Sequence, residues 1–228
     1  GYNTSGGCIV AVGHLSLFCN TTGFFNVALG LCTLRSNITG TRNTAIGTNT
    51  LYANTTGNNN VAIGNASLIC NTTGSDNTAI GTCALKNNTT GRFNVALGLH
   101  SLCSNTFGEF NVALGYTSLF KNTTGNNNIS LGACSLTCNT TGVNNVAIGK
   151  NALNFNVSGV DNVAIGTQAM IHNTEGDCNV ALGKRTLYCN TEGDFNTAIG
   201  TEAMYKNSTG NKNTALGYNT LRCGTEGY

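Results

Sequence analysis

Apolar and polar residues recur along this chain with a period of seventeen that never slips. The shared unit reads Asn-[Val/Thr]-Ala-[Ile/Leu]-Gly-x-x-[Ala/Ser/Thr]-[Leu/Met]-x-x-Asn-Thr-[Thr/Glu]-Gly-x-x, with positions numbered 1 to 17. Position 1 falls at Asn26, Asn43, Asn60, Asn77, Asn94, Asn111, Asn128, Asn145, Asn162, Asn179, Asn196 and Asn213, with Ile9 in the first unit. Position 5 is Gly from Gly13 to Gly217, and position 15 is Gly from Gly6 to Gly227. Position 3 is Ala except at Ser130; position 4 is Ile, Leu or Val, and position 9 is Leu or Met. Positions 6, 7, 10, 11, 16 and 17 vary freely.

A seventeen-residue period is too short for paired-helix or leucine-rich repeats and suits one coil of a β-solenoid. Asn-Val-Ala-Ile-Gly is a short β-prone run ended by a residue free to turn. Asn-Thr-Thr-Gly is a turn. The stretch between them has one apolar anchor, at position 9, and reads as either a second short strand or a single helical turn. Thr201–Lys206 suits the helical alternative. The pattern predicts an all-β chain, a parallel β-solenoid or β-roll of about 13 coils, running as one continuous array over residues 1–228.

Each coil offers about four apolar side chains, worth roughly 1.5–3 kcal/mol apiece when buried. Ordering costs on the order of 1.5 kcal/mol per residue. A lone coil therefore does not hold, whereas stacked coils share a core and hydrogen-bond above and below. At about 4.8 Å per coil the array is expected to be a rod of roughly 60 Å. Neither end carries a polar capping unit: the chain opens in mid-unit at Gly1-Tyr2-Asn3 and stops in mid-unit at Tyr228. The expectation is a piece of a longer array, or copies meeting end to end. Asn at position 1 is expected to form a buried or edge ladder of stacked amides, each presenting a donor and an acceptor.

Composition narrows the function classes. The chain has 30 Gly, no Pro, no Trp, 40% hydrophobic and only 9% charged residues, with a net charge of +2. That charge gives no reason to expect nucleic acid, and no apolar run approaches the roughly 18 residues of a membrane helix, so no membrane insertion is expected.

Positions 12 and 14 spell Asn-x-Thr/Ser in most units. The candidate glycosylation acceptors are Asn3, Asn20, Asn37, Asn54, Asn71, Asn88, Asn122, Asn139, Asn156 and Asn207. The pattern breaks at Asn105, Asn173 and Asn190, and further sequons sit at Asn65, Asn87 and Asn128. Asn-Thr-Thr-Gly is equally good turn chemistry, and both readings stand at this point. Along a secretory route the glycans would form a column on one edge.

The chain has eleven cysteines. Cys19, Cys70, Cys138, Cys189 and Cys223 occupy position 11; Cys32, Cys83 and Cys134 position 7; Cys8 and Cys178 position 17; Cys103 position 10. Spacings of thirteen and eleven recur, so Cys19, Cys32, Cys70, Cys83, Cys134, Cys138, Cys178 and Cys189 are candidate disulfide cysteines in an oxidising compartment. The alternative is that Cys is simply a small residue tolerated at variable sites.

No catalytic or metal constellation stands out. His14, His100 and His172 lie in separate units, with no carboxylate recurring beside them. Glu175, Glu192, Glu226, Asp177 and Asp194 read as a solvated acidic edge, and Phe25, Phe93, Phe110 and Phe195 share position 17 as either a corner cover or an apolar seam. No enzyme activity and no cofactor are expected.

Asn-Asn-Val-Ala-Ile-Gly at 144–149 and 59–64 resembles the head repeats of trimeric autotransporter adhesins and the repeats of tail-fibre-like surface proteins. The resemblance covers essentially the whole chain but rests on a six-residue core, in a longer unit that adds Asn-Thr-Thr-Gly and Cys. It implies left-handed β-rolls that trimerise into surface stalks. The function expected is a structural subunit of an extracellular fibre at a cell or virion surface, self-associating end to end or laterally and carrying covalent glycans. One alternative is a receptor-binding adhesin, which predicts a coherent patch at positions 6, 7, 10 or 16. Another is an ice-binding solenoid, against which adjacent Thr at positions 13 and 14 point to opposite sides.

Overall fold

Each Val-Ala-Ile run forms a strand of three residues, and within each unit the strands stack parallel in sequence order. The computed structural model describes residues 4–223. Two compact units, Gly1–Asn111 and Val112–Tyr228, are built on the same seventeen-residue parallel β-solenoid coil. The first holds β1 (Val10–Val12), β2 (Val27–Leu29), β3 (Thr44–Ile46), β4 (Val61–Ile63), β5 (Thr78–Ile80) and β6 (Val95–Leu97). The second holds β7 (Val112–Leu114), β8 (Ile129–Leu131), β9 (Val146–Ile148), β10 (Val163–Ile165), β11 (Val180–Leu182), β12 (Thr197–Ile199) and β13 (Thr214–Leu216). Registers are unshifted: Val61 pairs with Thr78, Ala62 with Ala79 and Ile63 with Ile80. Identical positions therefore stack as ladders within each unit.

The strands end where Gly at position 5 takes φ between +120° and +139°. A side chain is excluded there twice over. A methyl group on Gly81 would sit 2.5 Å from the Gly98 carbonyl oxygen, and φ of +134° disfavours any L residue.

Positions 6 to 11 are neither strand nor helix; they form a run of turns. The cause lies in where the N–H groups go. Cys32 N–H donates to the His14 carbonyl of the preceding coil (2.9 Å), while Leu34 N–H donates to Thr50 of the next (3.0 Å). An α-helix would spend those donors within the segment. Thr201–Lys206 behaves alike, with Glu202 bonded to Lys184 and Met204 to Thr220. Non-glycine residues at positions 7, 9 and 17 hold left-handed backbone, as in Cys32 (φ 53°), Leu34 (φ 50°) and Arg42 (φ 56°). Each costs roughly 1–2 kcal/mol. Coil stacking has to offset that cost.

The interior is narrow. Ala at position 3 and Leu or Met at position 9 are buried, while positions 2 and 4 of the strand face outward. The expectation of about four buried apolar side chains per coil is thus corrected to two, because a strand sends successive side chains to opposite faces. Asn at positions 1 and 12 and a small residue at position 8 fill the rest. The exception at position 3 is explained by its neighbours. Ser130 Oγ lies 2.8 Å from Ser118 Oγ and 2.6 Å from Ser135 Oγ, forming a buried three-hydroxyl cluster.

Candidate functional site

Two asparagine ladders organise one side of the coil and converge on one atom. At position 12, Asn71 Nδ2 donates to Asn54 Oδ1 of the preceding coil (2.8 Å) and to its own Gly74 carbonyl (2.9 Å). At position 1, Asn60 Nδ2 donates to Asn43 Oδ1 (3.1 Å) and reaches across the coil to the same Gly74 carbonyl (2.9 Å). Asn43 Oδ1 also accepts the Asn60 backbone N–H (3.0 Å). The arrangement recurs in the second unit, where Asn179 and Asn190 share the Gly193 carbonyl. Asn26, Asn43, Asn60, Asn77, Asn94, Asn111, Asn145, Asn162, Asn179 and Asn196 are fully buried, and Asn213 is half-buried.

This explains glycine at position 15. A methyl group on Gly74 would lie 2.3 Å from Asn71 Oδ1 and 2.5 Å from the Gly91 carbonyl oxygen. Asparagine at position 12 and glycine at position 15 are one device.

The glycosylation reading meets this geometry and is corrected by it. Asn20, Asn37, Asn54, Asn71, Asn88, Asn122, Asn139 and Asn156 are 0% exposed and Asn207 is 2% exposed. The Nδ2 atom that would carry a sugar is the one donating into the ladder, as Asn37 shows with bonds to Asn20 Oδ1 and the Gly40 carbonyl. A glycan cannot occupy that site in the folded coil. Asn3 lies outside the described residues. Asn105, Asn173 and Asn190, where the sequon is broken, are buried in the same ladder. Among the other sequons Asn128 is buried, Asn87 is half-buried and Asn65 is exposed.

No disulfide joins the candidate cysteines in this structure. All eleven cysteines are free thiols, including Cys19, Cys32, Cys70, Cys83, Cys134, Cys138, Cys178 and Cys189. Stacking brings identical positions together one coil apart, and no two cysteines share a position in neighbouring coils. Burial, followed by the nearby Cys83, pushes the Cys103 thiol up from its ordinary value.

The acidic residues at position 16 turn out to be backbone caps. Asp177 Oδ1 accepts the Val160 N–H and Asp194 Oδ1 accepts the Asp177 N–H, both at 2.7 Å. Glu175 and Glu192 are exposed, and Glu226 lies outside the described residues. The position-17 phenylalanines do not cover the core: Phe25, Phe93, Phe110 and Phe195 are exposed, and Phe93 stacks on Phe110 with ring centroids 4.8 Å apart. Among the described residues no His/Cys/Asp/Glu group could hold a metal ion, and no helix is long and apolar enough to cross a membrane.

Two surface features were missed in sequence. One is the outer strand face, where position 2 is always Val, Thr or Ile and position 4 always Val, Leu or Ile. Ile80 (39%), Leu114 (41%) and Ile165 (38%) stand open to solvent there. The other is an apolar groove of about 670 Å³ in the second unit, lined by position-11 residues including Cys138, Phe155, His172 and Cys189 and by position-13 residues including Val157. Along it Phe155 stacks on His172 (5.5 Å), His172 meets Tyr188 edge-on (5.0 Å) and Tyr188 stacks on Tyr205 (4.8 Å, centroid to centroid). Strict alternation in Val-Ala-Ile, with Ala as the inward residue, was the signal for the first. The aromatics change position from 11 to 10 along the stack, which hid the second. Neither a protein-family model nor a curated protein matches the chain.

Proposed function

We propose that this protein is a structural subunit of an extracellular fibre, at a cell or virion surface, whose copies pack laterally through the outer faces of their strands. The observation that supports this reading is the apolar rank at position 4 beside the Val, Thr and Ile rank at position 2, neither of which carries a charged residue in any coil. Contiguous exposed apolar surface of this kind marks an interaction site. A second copy of the chain is the occupant that fits. Its ranks repeat at the same coil spacing and stay in step over many coils, whereas a partner of any other period drifts out of phase. The resemblance of Asn-Asn-Val-Ala-Ile-Gly to surface-stalk repeats favours the same role and a surface location.

Sedimentation of the purified chain, with negative-stain microscopy, tests this. The wild type is expected as oligomers or fibres well above 23.5 kDa. Ile80→Lys with Ile165→Lys is expected to release folded monomers. A wild type that stays monomeric at micromolar concentration overturns the reading.

The receptor-binding alternative is favoured by the aromatic stack beside the groove, which offers flat ring faces to a ligand with an apolar face of its own. Cell-surface or glycan binding that Phe155→Ala and Tyr188→Ala abolish, with the oligomeric state unchanged, would move the function to this site.

A further inference from the structure

One diagonal of the coil lattice brings position 7 of a coil against position 10 of the next, twenty residues on. In the second unit side chains close this diagonal three times. Thr137 Oγ1 donates to the Thr117 carbonyl (3.2 Å), Asn154 Nδ2 to the Cys134 carbonyl (2.6 Å), and Arg222 Nε to Glu202 Oε2 (3.0 Å). In the first unit the same diagonal joins Cys83 to Cys103, the only two cysteines of the chain that are twenty residues apart. Cys103 is buried and Cys83 is half-buried. Burial and then Cys83 push the Cys103 thiol up, with Lys86 opposing and Cys70 adding less, so the register of the diagonal is what favours Cys83 over Cys70.

We propose that Cys83 and Cys103 are a redox pair that closes into a disulfide across neighbouring coils when a low-molecular-weight disulfide such as oxidised glutathione is the oxidant. Cys83, the more open of the two, loses its proton to solvent and attacks the glutathione disulfide. A mixed disulfide forms and one glutathione thiolate leaves. Cys103 then loses its proton and attacks Cys83 Sγ, expelling the second glutathione thiolate. Two protein thiols are oxidised and one glutathione disulfide is reduced to two thiols. The bridge ties one coil to the next on the turn side, where the backbone holds its left-handed residues, and it rests on coil register independently of any fibre role.

The test is non-reducing tryptic mass spectrometry of the full chain after incubation with oxidised glutathione and alkylation. Trypsin separates residues 43–86, which hold Cys70 and Cys83, from residues 93–121, which hold Cys103. The expected result is one linked species joining these peptides, lost on reduction, with free thiols down by two. The link persists in Cys70→Ser and is absent in Cys83→Ser. Recovery of residues 93–121 with Cys103 alkylated or glutathionylated overturns the proposal. So does a link that survives Cys83→Ser and vanishes in Cys70→Ser.

Discussion

The Asn-Thr-Thr-Gly corner and the Val-Ala-Ile strand are the two most regular stretches of the coil, yet they face opposite ways. The corner looks polar and turns inward: its asparagines are buried, and each amide is satisfied by the coil before it and by the Gly carbonyl. The strand looks like core and turns two of its three side chains outward. The difference teaches that regularity in a solenoid reports stacking, not burial. A buried polar residue survives when its partner is its own copy one coil away. An exposed apolar one survives when something outside covers it.

The largest effect should come from filling the corner. Gly74→Ala forces a methyl group onto Asn71 Oδ1 and the Gly91 carbonyl, and should cost about 4 kcal/mol in denaturant unfolding. Removing the amide itself comes next. Asn71→Ala leaves Asn54 Oδ1 without its ladder donor and Asn88 Nδ2 without its ladder acceptor, at about 2–3 kcal/mol by the same measurement. A loss under about 0.5 kcal/mol would mean that the ladder is ornamental.

The strand face should answer in the opposite way. Ile80→Lys should leave folding stability within about 0.5 kcal/mol while weakening self-association, read by sedimentation. A large loss of stability with unchanged association would reverse the comparison. The smallest effect belongs to Asn65→Gln, an exposed sequon position, which should leave stability and association unchanged. In secreted material, glycopeptide mapping should find Asn65 occupied and every position-12 asparagine from Asn20 to Asn207 bare. Sugar on folded Asn71 would overturn the ladder.

Much of this was legible from the period. Strand positions, parallel register and turn locations follow from where Gly and Val-Ala-Ile recur, because stacking puts like on like. Positions 6 to 11 were not legible, because one anchor such as Leu34 does not specify a conformation and no residue preference announces a left-handed Leu. Position 12 carries two readings in sequence because the sequon and the corner share their letters. The discriminating detail lay at position 14, where Phe107, Glu175 and Glu192 replace Thr while Asn105, Asn173 and Asn190 remain. That asparagine travels with the glycine after it, not with the hydroxyl between them. Cys83 and Cys103 hold different positions of the unit, so the repeat pattern alone does not pair them.

The amide column also has a sense of direction. Within each unit the position-12 Nδ2 bonds between coils point the same way, from Asn37 to Asn20, from Asn54 to Asn37, and likewise from Asn156 to Asn139. A cut through such a column leaves a spare proton on one surface and a spare lone pair on the other. Any assembly that extends it joins unlike faces, so its growth is a vector, with a leading end and a trailing end that chemistry can tell apart.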